Sequence, residues 1–386
     1  MKKCLLLLFA VCFLLAGCSS NTALPQKRIV PVSESKKYMV GVWLSYSEIN
    51  AIISDNGLES NLNKVISNLN SISATDIFIH VRAFCDSIYP SKLFPQTEFS
   101  NKYNYDIFEY MITKCHENGI RVHAWINPYR VSSATNDINA LSDKCFAKSL
   151  YNKDVSNIGI TENGIYLNPA SEQCKKAVVD GIREILDNYA VDGIHFDDYF
   201  YPTTAESFDS ESYKRYCENT KVPFGLDEYR RANVNSLIAA CYTAIKFKDK
   251  NITFSISPAA DIDKNYSCRY ADIKSFCESG CVDLIIPQLY FGFSYPDNNF
   301  CFDTLLNRWE NELKDTNVKI AVGIASYKVG TNAEPDCEEW HDNTDILSRQ
   351  CAMCKSDKNI CGHIFFSYSS LFSSSAVNIK AREKIK

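Results

Sequence analysis

Glycine and proline are scarce in this chain, 14 and 12 among 386 residues. That shortage excludes a collagen-like or linker-rich protein. A dominant charge is also missing: 41 basic and 46 acidic residues, interspersed, give a formal −5 at pH 7. Without a basic face, no nucleic-acid partner is expected. There is no internal repeat, no Gly-rich dinucleotide fingerprint and no Gly-x-Ser-x-Gly elbow, so neither a Rossmann cofactor site nor a serine-hydrolase triad has support. Beyond the first residues, no apolar run reaches membrane length. What is present is a globular mix: 46% hydrophobic, 23% charged and 12% aromatic. The length suits either two or three small domains or one large barrel or doubly wound sheet.

The start of the chain predicts a leader. Lys2 and Lys3 precede an apolar run from Leu5 to Leu15, too short to span a membrane. It ends Leu15-Ala16-Gly17-Cys18, the pattern of a bacterial lipobox. Residues 1–17 are therefore expected to be a lipoprotein signal peptide. Residues 18–37 would be a lipidated Cys18 and a flexible tether, and 38–386 a single domain. The lipid on Cys18 would be the sole membrane contact, placing the protein in the bacterial cell envelope. Of the 17 cysteines, Cys4 and Cys12 fall in the leader. Cys115, Cys174 and Cys241 sit in helical patterns, where Cys serves as a small hydrophobe. Cys351-x-x-Cys354 with Cys361 lacks a fourth ligand nearby, so no metal is expected, and no cofactor is implied. Whether the barrel cysteines pair is left open. The domain is expected to be a monomer.

A strand-then-helix rhythm runs through the rest. Strand patterns fall at 39–44, 76–82, 121–127, 193–197, 252–257, 284–288, 319–325 and 362–366. Helical patterns fall at 62–72, 105–118, 171–189, 228–248, 271–279, 304–314, 345–355 and 376–384. Eight alternating β and α units predict a single (β/α)8 TIM barrel, with a doubly wound sheet as the other possible closure. The long connections follow strands three, four and seven, on the side where barrels carry their catalytic loops. Within the first of them, residues 158–167 read as a hairpin turning at Asn163-Gly164.

Strand parity then singles out a site, since alternate residues face opposite sides. His80 and Arg82, His123, Trp125 and Asn127, His195 and Asp197, Ser255 and Ser257, and Gln288 and Tyr290 share the polar parity of their strands. That parity should face the lumen, with Arg82, Asn127, Asp197, Ser257 and Gln288 at its C-terminal mouth. The sharpest segment is Asp192-Gly193-Ile194-His195-Phe196-Asp197-Asp198-Tyr199-Phe200-Tyr201-Pro202. Two adjacent carboxylates can be driven apart in pKa, which is what glycoside hydrolysis asks of an acid and its partner. Aromatic residues at strand ends or mouth loops suit stacking on sugar faces: Trp125, Tyr129, Tyr199, Tyr201, Tyr290, Phe291 and Tyr327. Asp86, after the second strand, is a further candidate acid or a turn former. His80, His123 and His195 lie below the mouth and read as core histidines rather than metal ligands.

These stretches resemble the glycosyl-hydrolase-like 10 family of bacterial cell-envelope lipoproteins. The resemblance is carried by Gly41-Val42-Trp43, by His80-Val81-Arg82 with Asp86 and Tyr89, and by His123 to Arg130. Leu167-Asn168-Pro169, Asp192 to Pro202 and Pro287-Gln288-Leu289-Tyr290 complete it. It implies a TIM barrel that hydrolyses glycans, including peptidoglycan strands. The fourth-strand segment is also similar to that of chitinase-like barrels, but His195 stands in place of an inner Asp and no Glu follows at the acid position. The expectation is a glycoside hydrolase with Asp197 and Asp198 as its carboxylate pair, roles unassigned. Arg82, Asp86, Trp125, Asn127, Tyr129, Arg130, Tyr199, Tyr201, Ser257, Gln288 and Tyr290 would bind the poly- or oligosaccharide. The alternative is a glycan-binding lipoprotein without catalysis.

Overall fold

The computed structural model describes residues 38–53, 57–332, 337–341 and 343–385. The expected leader, Cys18 and tether lie outside them. Eight parallel strands close into a barrel: β1 Met39–Leu44, β2 Asp76–Arg82, β3 Arg121–Ile126, β4 Gly193–Phe196, β5 Thr253–Ile256, β6 Leu284–Ile285, β7 Lys319–Ala325 and β8 Ile360–Phe366. The ladder runs in sequence order and closes between β8 and β1. β6 is short, and Gln288 extends it by bridging to Ala259 and Gly323. Each strand is followed by a helix: α1 Leu58–Ser71, α2 Ile107–Glu117, α3 Glu172–Asn188, α4 Leu226–Lys248, α5 Ile273–Glu278, α6 Phe302–Leu313, α7 Ile346–Ser356 and α8 Ala376–Glu383. The TIM barrel expected from the rhythm is the observed fold.

Local chemistry sets these boundaries. Asp106 caps α2 by accepting from the backbone N–H groups of Phe108 and Glu109. Gly119, at φ +71°, lets the chain leave that helix toward β3. Ser171 caps α3 in the same way. On the outer side, Ile77, Ile79, Val122, Ala124, Ile194, Phe196, Phe254 and Ile256 pack with the helices into one continuous core. Among the described residues, no helix is long and apolar enough to cross a membrane.

The lumen has its own small core, including Met39, Trp43, Phe78, Trp125, Leu284, Ile286, Ala321 and Ile364. Rings lie over bare backbone there. A Cβ on Gly323 would come within 3.1 Å of the Trp43 indole, and one on Gly193 within 2.1 Å of His123 Nδ1. Trp43 Nε1–H donates to His195 Nε2 at 3.0 Å. An indole can only donate, so His195 carries its proton on Nδ1 and gives it to Ser255 Oγ, 2.8 Å away. His123 Nε2 pairs with Asp76 at 2.8 Å. Among the described residues, no three His, Cys, Asp or Glu side chains gather as metal ligands. Thirteen described cysteines are unpaired thiols.

Two expectations need correction. The hairpin pairs Thr161 with Gly164, so its turn is Glu162-Asn163 and Gly164 already belongs to the returning strand. There Gly164, at φ +136°, lies under Ser132 O, 2.1 Å from where a Cβ would stand. A third strand, Arg130–Ser132, completes this small sheet. The second correction concerns Arg82. The β2–β3 register slips between His80 and Arg82, so Arg82 pairs with Ile126, which faces the outer core. Its guanidinium lies 3.6 Å from the Phe94 ring and against Gly181 of α3. Arg82 is thus under the helices and not at the mouth.

Candidate active site

The strand ends of β3 to β6 bring a polar group together at the mouth. Asp197 follows β4 directly and is only 4% exposed. Its Oδ2 accepts from Trp125 Nε1 at 3.1 Å and more weakly from Asn127 Nδ2 at 3.5 Å. Its Oδ1 faces the Tyr199 backbone N–H at 3.4 Å. These contacts are few and long for a buried carboxylate. Burial and then the neighbouring Asp198 charge push its pKa up to about 7, against smaller lowering effects from Trp125, Tyr199 N–H and Arg130. Trp125 is itself held flat against His80, ring centroids 3.7 Å apart.

Asp198 is equipped differently. Arg269 Nη2 meets its Oδ2 at 3.0 Å, and Gln288 Nε2 donates to its Oδ1 at 3.3 Å. Gln288 also donates to Ser257 O at 3.1 Å, tying the ends of β5 and β6 to this carboxylate. Ser257 Oγ is buried with no protein partner. One aspartate is therefore short of donors and beside a negative charge, while the next has a guanidinium and an amide. That asymmetry gives two adjacent carboxyl groups unlike electrostatic surroundings.

An aromatic rim follows the strand order. Tyr46 after β1 meets Phe84 after β2 edge-on at 5.7 Å. Arg130 after β3 spans Phe84 and Tyr199, 5.1 and 4.7 Å from their ring centres. Across the mouth, Tyr290 after β6 stacks on Phe366 of β8 at 5.7 Å and meets Tyr327 edge-on at 5.9 Å. Asp86 belongs to the first half of this rim, accepting from Tyr46 OH at 3.2 Å. Burial pushes its carboxyl up as well, against the lowering bond from Tyr46. Its Oδ1 is buried without a partner.

The structure thus brings together Asp197, Asp198, Trp125, Asn127, Arg130, Tyr199, Ser257, Gln288 and Tyr290, with Asp86 on the rim. It does not bring in Tyr129 or Tyr201. Both are fully buried in the outer core. Tyr201 packs against Tyr270 and Phe208. Proximity to the Asp-Asp segment suggested the mouth for Tyr201, but its side chain turns outward. Four residues went unnoticed in the sequence: Tyr46, Phe84, Phe366 and Arg269. Parity extended to the eighth strand would have placed Phe366 inward, two residues after Ile364. Tyr46 and Phe84 lie two residues past their strands and answer the same strand-end rule. Nothing local marks Arg269, which comes from a loop with no motif.

Comparison with known proteins agrees with this picture. The model of the family described as glycosyl hydrolase-like 10 matches residues 38–342. Glycosyl hydrolase YngK of Bacillus subtilis is 28% identical over 329 residues, covering 80% of this chain. The match spans only 62% of that longer relative. Glycosyl hydrolase DigH of Escherichia coli is 27% identical over 415 residues, covering 93% of this chain and 91% of the relative. Among solved structures, the PgaB (BpsB) glycoside hydrolase domain of Bordetella bronchiseptica superposes with a TM-score of 0.61 at 11% identity, covering 91% of this chain and 99% of that domain. The catalytic domain of a β-amylase from Paenibacillus polymyxa reaches 0.59 at 9% identity, with coverage of 91% and 99%. At such identities these two establish the barrel alone.

Proposed function

This chain belongs to the glycosyl hydrolase-like 10 family, and from that premise we propose that it is an envelope-anchored glycoside hydrolase acting on peptidoglycan-derived glycan strands. The family relationship supports a glycan-acting hydrolase. The observation that carries the catalytic reading is the unequal treatment of Asp197 and Asp198 inside an aromatic rim. Asp197, held protonated near neutrality, is the general acid for the leaving glycosidic oxygen. Asp198, paired with Arg269 and bonded by Gln288, faces the developing oxocarbenium charge as base, nucleophile or stabiliser. Once Asp197 has given up its proton, the Trp125 and Tyr199 N–H groups support the carboxylate left behind.

Tyr46, Phe84 and Tyr199 around Arg130, and the facing Tyr290, Phe366 and Tyr327, put aromatic surface beside the acid pair, which suits sugar stacking. Among the described residues Arg130 makes no ion pair, and a guanidinium suits the lactyl carboxylate of muramic acid. That favours muramic-acid glycan over neutral polysaccharide.

The deciding measurement is release of reducing ends from purified peptidoglycan glycan. Wild type is expected to release them and Asp197→Asn to lose this. Binding without release by wild type would establish the rival, a glycan-binding barrel without catalysis. Unchanged release by the variant would remove Asp197 from the mechanism. Anchoring rests on the lipobox pattern. Cys18→Ser should move the protein from the membrane fraction to the soluble one, and a variant that still pellets would refute it.

A further inference from the structure

Behind Arg269 lies a buried cluster that the carboxylate chemistry does not use directly. Arg230, in the first turns of α4, is wholly buried together with Asp209. All five of its N–H groups are spent. Nε–H points at the Asp209 carboxylate, 3.0 Å from Oδ2, and Nη2 donates to Oδ1. Nη1 donates to Tyr270 OH at 2.9 Å and to Thr204 O at 3.1 Å, and Nη2 to Ala205 O at 2.8 Å. The guanidinium also sits 4.9 and 5.3 Å from the ring centres of Tyr270 and Tyr201. One cation thereby joins the loop after β4 to the loop after β5.

The join is adjacent to the acid pair. Tyr270 follows Arg269 and is held at φ +53°, a left-handed conformation unfavourable for a bulky side chain. The Tyr201 backbone N–H donates to Arg269 O at 3.3 Å. Arg269 is therefore gripped by its carbonyl and by the strained residue after it, while its side chain reaches Asp198. A buried ion pair is a poor source of stability. Strain and buried charge together, beside a candidate site, call for a role in geometry.

We propose that Arg230 is a positioning residue for the acid pair, acting through Tyr270 to hold Arg269 against Asp198. The inference rests on the glycosidase reading of that pair and deepens it. Asp198 is faced by Arg269 from the β5 loop, Gln288 from the end of β6, and Asp197 and Tyr199 from its own loop. Arg130 from the β3 loop and Tyr290 from the β6 loop complete the charged and titratable surroundings of the pair. Of these, Arg269 is the cation in contact with Asp198. Loosening it takes that cation away from the acid pair.

The test compares pH–rate profiles for glycan hydrolysis by wild type, Arg269→Gln, Arg230→Lys and the mild Tyr270→Phe. Arg269→Gln should raise the acidic limb by about one pH unit. Arg230→Lys and Tyr270→Phe should move the same limb the same way by less, lowering kcat more than KM. A uniform fall in rate with the limb unmoved in either knot variant, or an unmoved limb in Arg269→Gln, overturns the proposal. If wild type releases no reducing ends, the glycosidase reading fails on its own. Infrared titration of isotope-labelled aspartate carboxyls then still decides the knot: a raised midpoint in all three folded variants upholds it, and midpoints unchanged in the knot variants refute it.

Discussion

Two aspartates are buried in the same barrel and are treated in opposite ways. Asp76 begins β2 at the N-terminal end, and Asp197 follows β4 at the C-terminal end. Burial pushes both carboxyls up. At Asp76 it is outweighed by the bond and charge of His123, the Arg121 charge and the Thr75 hydroxyl, so its pKa ends below the ordinary value. At Asp197 the donors are weaker and the nearest charge is another carboxylate, so the pKa ends at about 7. Depth alone therefore does not mark a working carboxylate. The deciding quantity is how completely its lone pairs are met, and by what sign of charge. The carboxylate at the bottom of the barrel has its lone pairs met by opposite charge and donors, and the one at the top does not.

The strongest way to break that contrast is kinetic. Asp197→Asn should lower the rate of glycan hydrolysis by about 10²–10⁴-fold, while Asp76→Asn, where folded, should leave it within a few-fold in the same reducing-end assay. Comparable losses would mean that the two sites are not functionally distinct.

Stability against pH should separate them by sign. Folded Asp197 keeps its proton to about 7, whereas the unfolded carboxyl releases it at the ordinary 3.8. Between those values the folded state binds more protons, so wild-type stability falls as pH rises and then levels off. Asp197→Asn removes that cost. By denaturant titration its advantage should be absent below pH 4, grow to at most about 4 kcal/mol, and stay constant above pH 7. Asp76, lowered on folding, contributes stability above its unfolded pKa that disappears as pH drops through its folded one. Asp76→Asn should thus cost about 3 kcal/mol at pH 7 and progressively less in acid. Parallel curves for the two variants would erase the comparison.

The smallest effect concerns a single donor. Trp125→Phe keeps a ring against His80 but removes the N–H that reaches Asp197. With less support for the charged form, the basic limb of the pH–rate profile should move up by about one unit. A limb that stays in place would show that the indole packs without tuning the acid.

The barrel was readable because each strand is short, apolar on its outer face and followed by a helical stripe. The boundaries of β1, β2 and β7 agree residue for residue. The pair Asp197-Asp198 was readable because it ends a strand. Arg82 was misplaced because parity assumes an unbroken ladder, and a one-residue slip reverses the face without any mark in the local sequence. Tyr129 and Tyr201 failed for a related reason: beyond the last ladder bond the alternation no longer holds. Arg230 is instructive in the other direction. It lies on the stripe of Val234, Leu237, Ile238, Cys241 and Ile245, all buried in α4. A charged residue on that stripe must be paired inside the protein, a sign the sequence itself carries.

The bare backbone in the lumen also bears on how such a barrel can diverge. Trp43 fills the space that Gly323 leaves empty, and His123 fills the space left by Gly193. Each ring and its glycine form one packing unit drawn from strands separated in the chain. A side chain gained at the glycine is tolerated only in a lineage that has already traded the ring for something smaller, and a ring lost first leaves a hole. Descendants of this sequence can change their rim loops one residue at a time, but must change the floor beneath them in pairs.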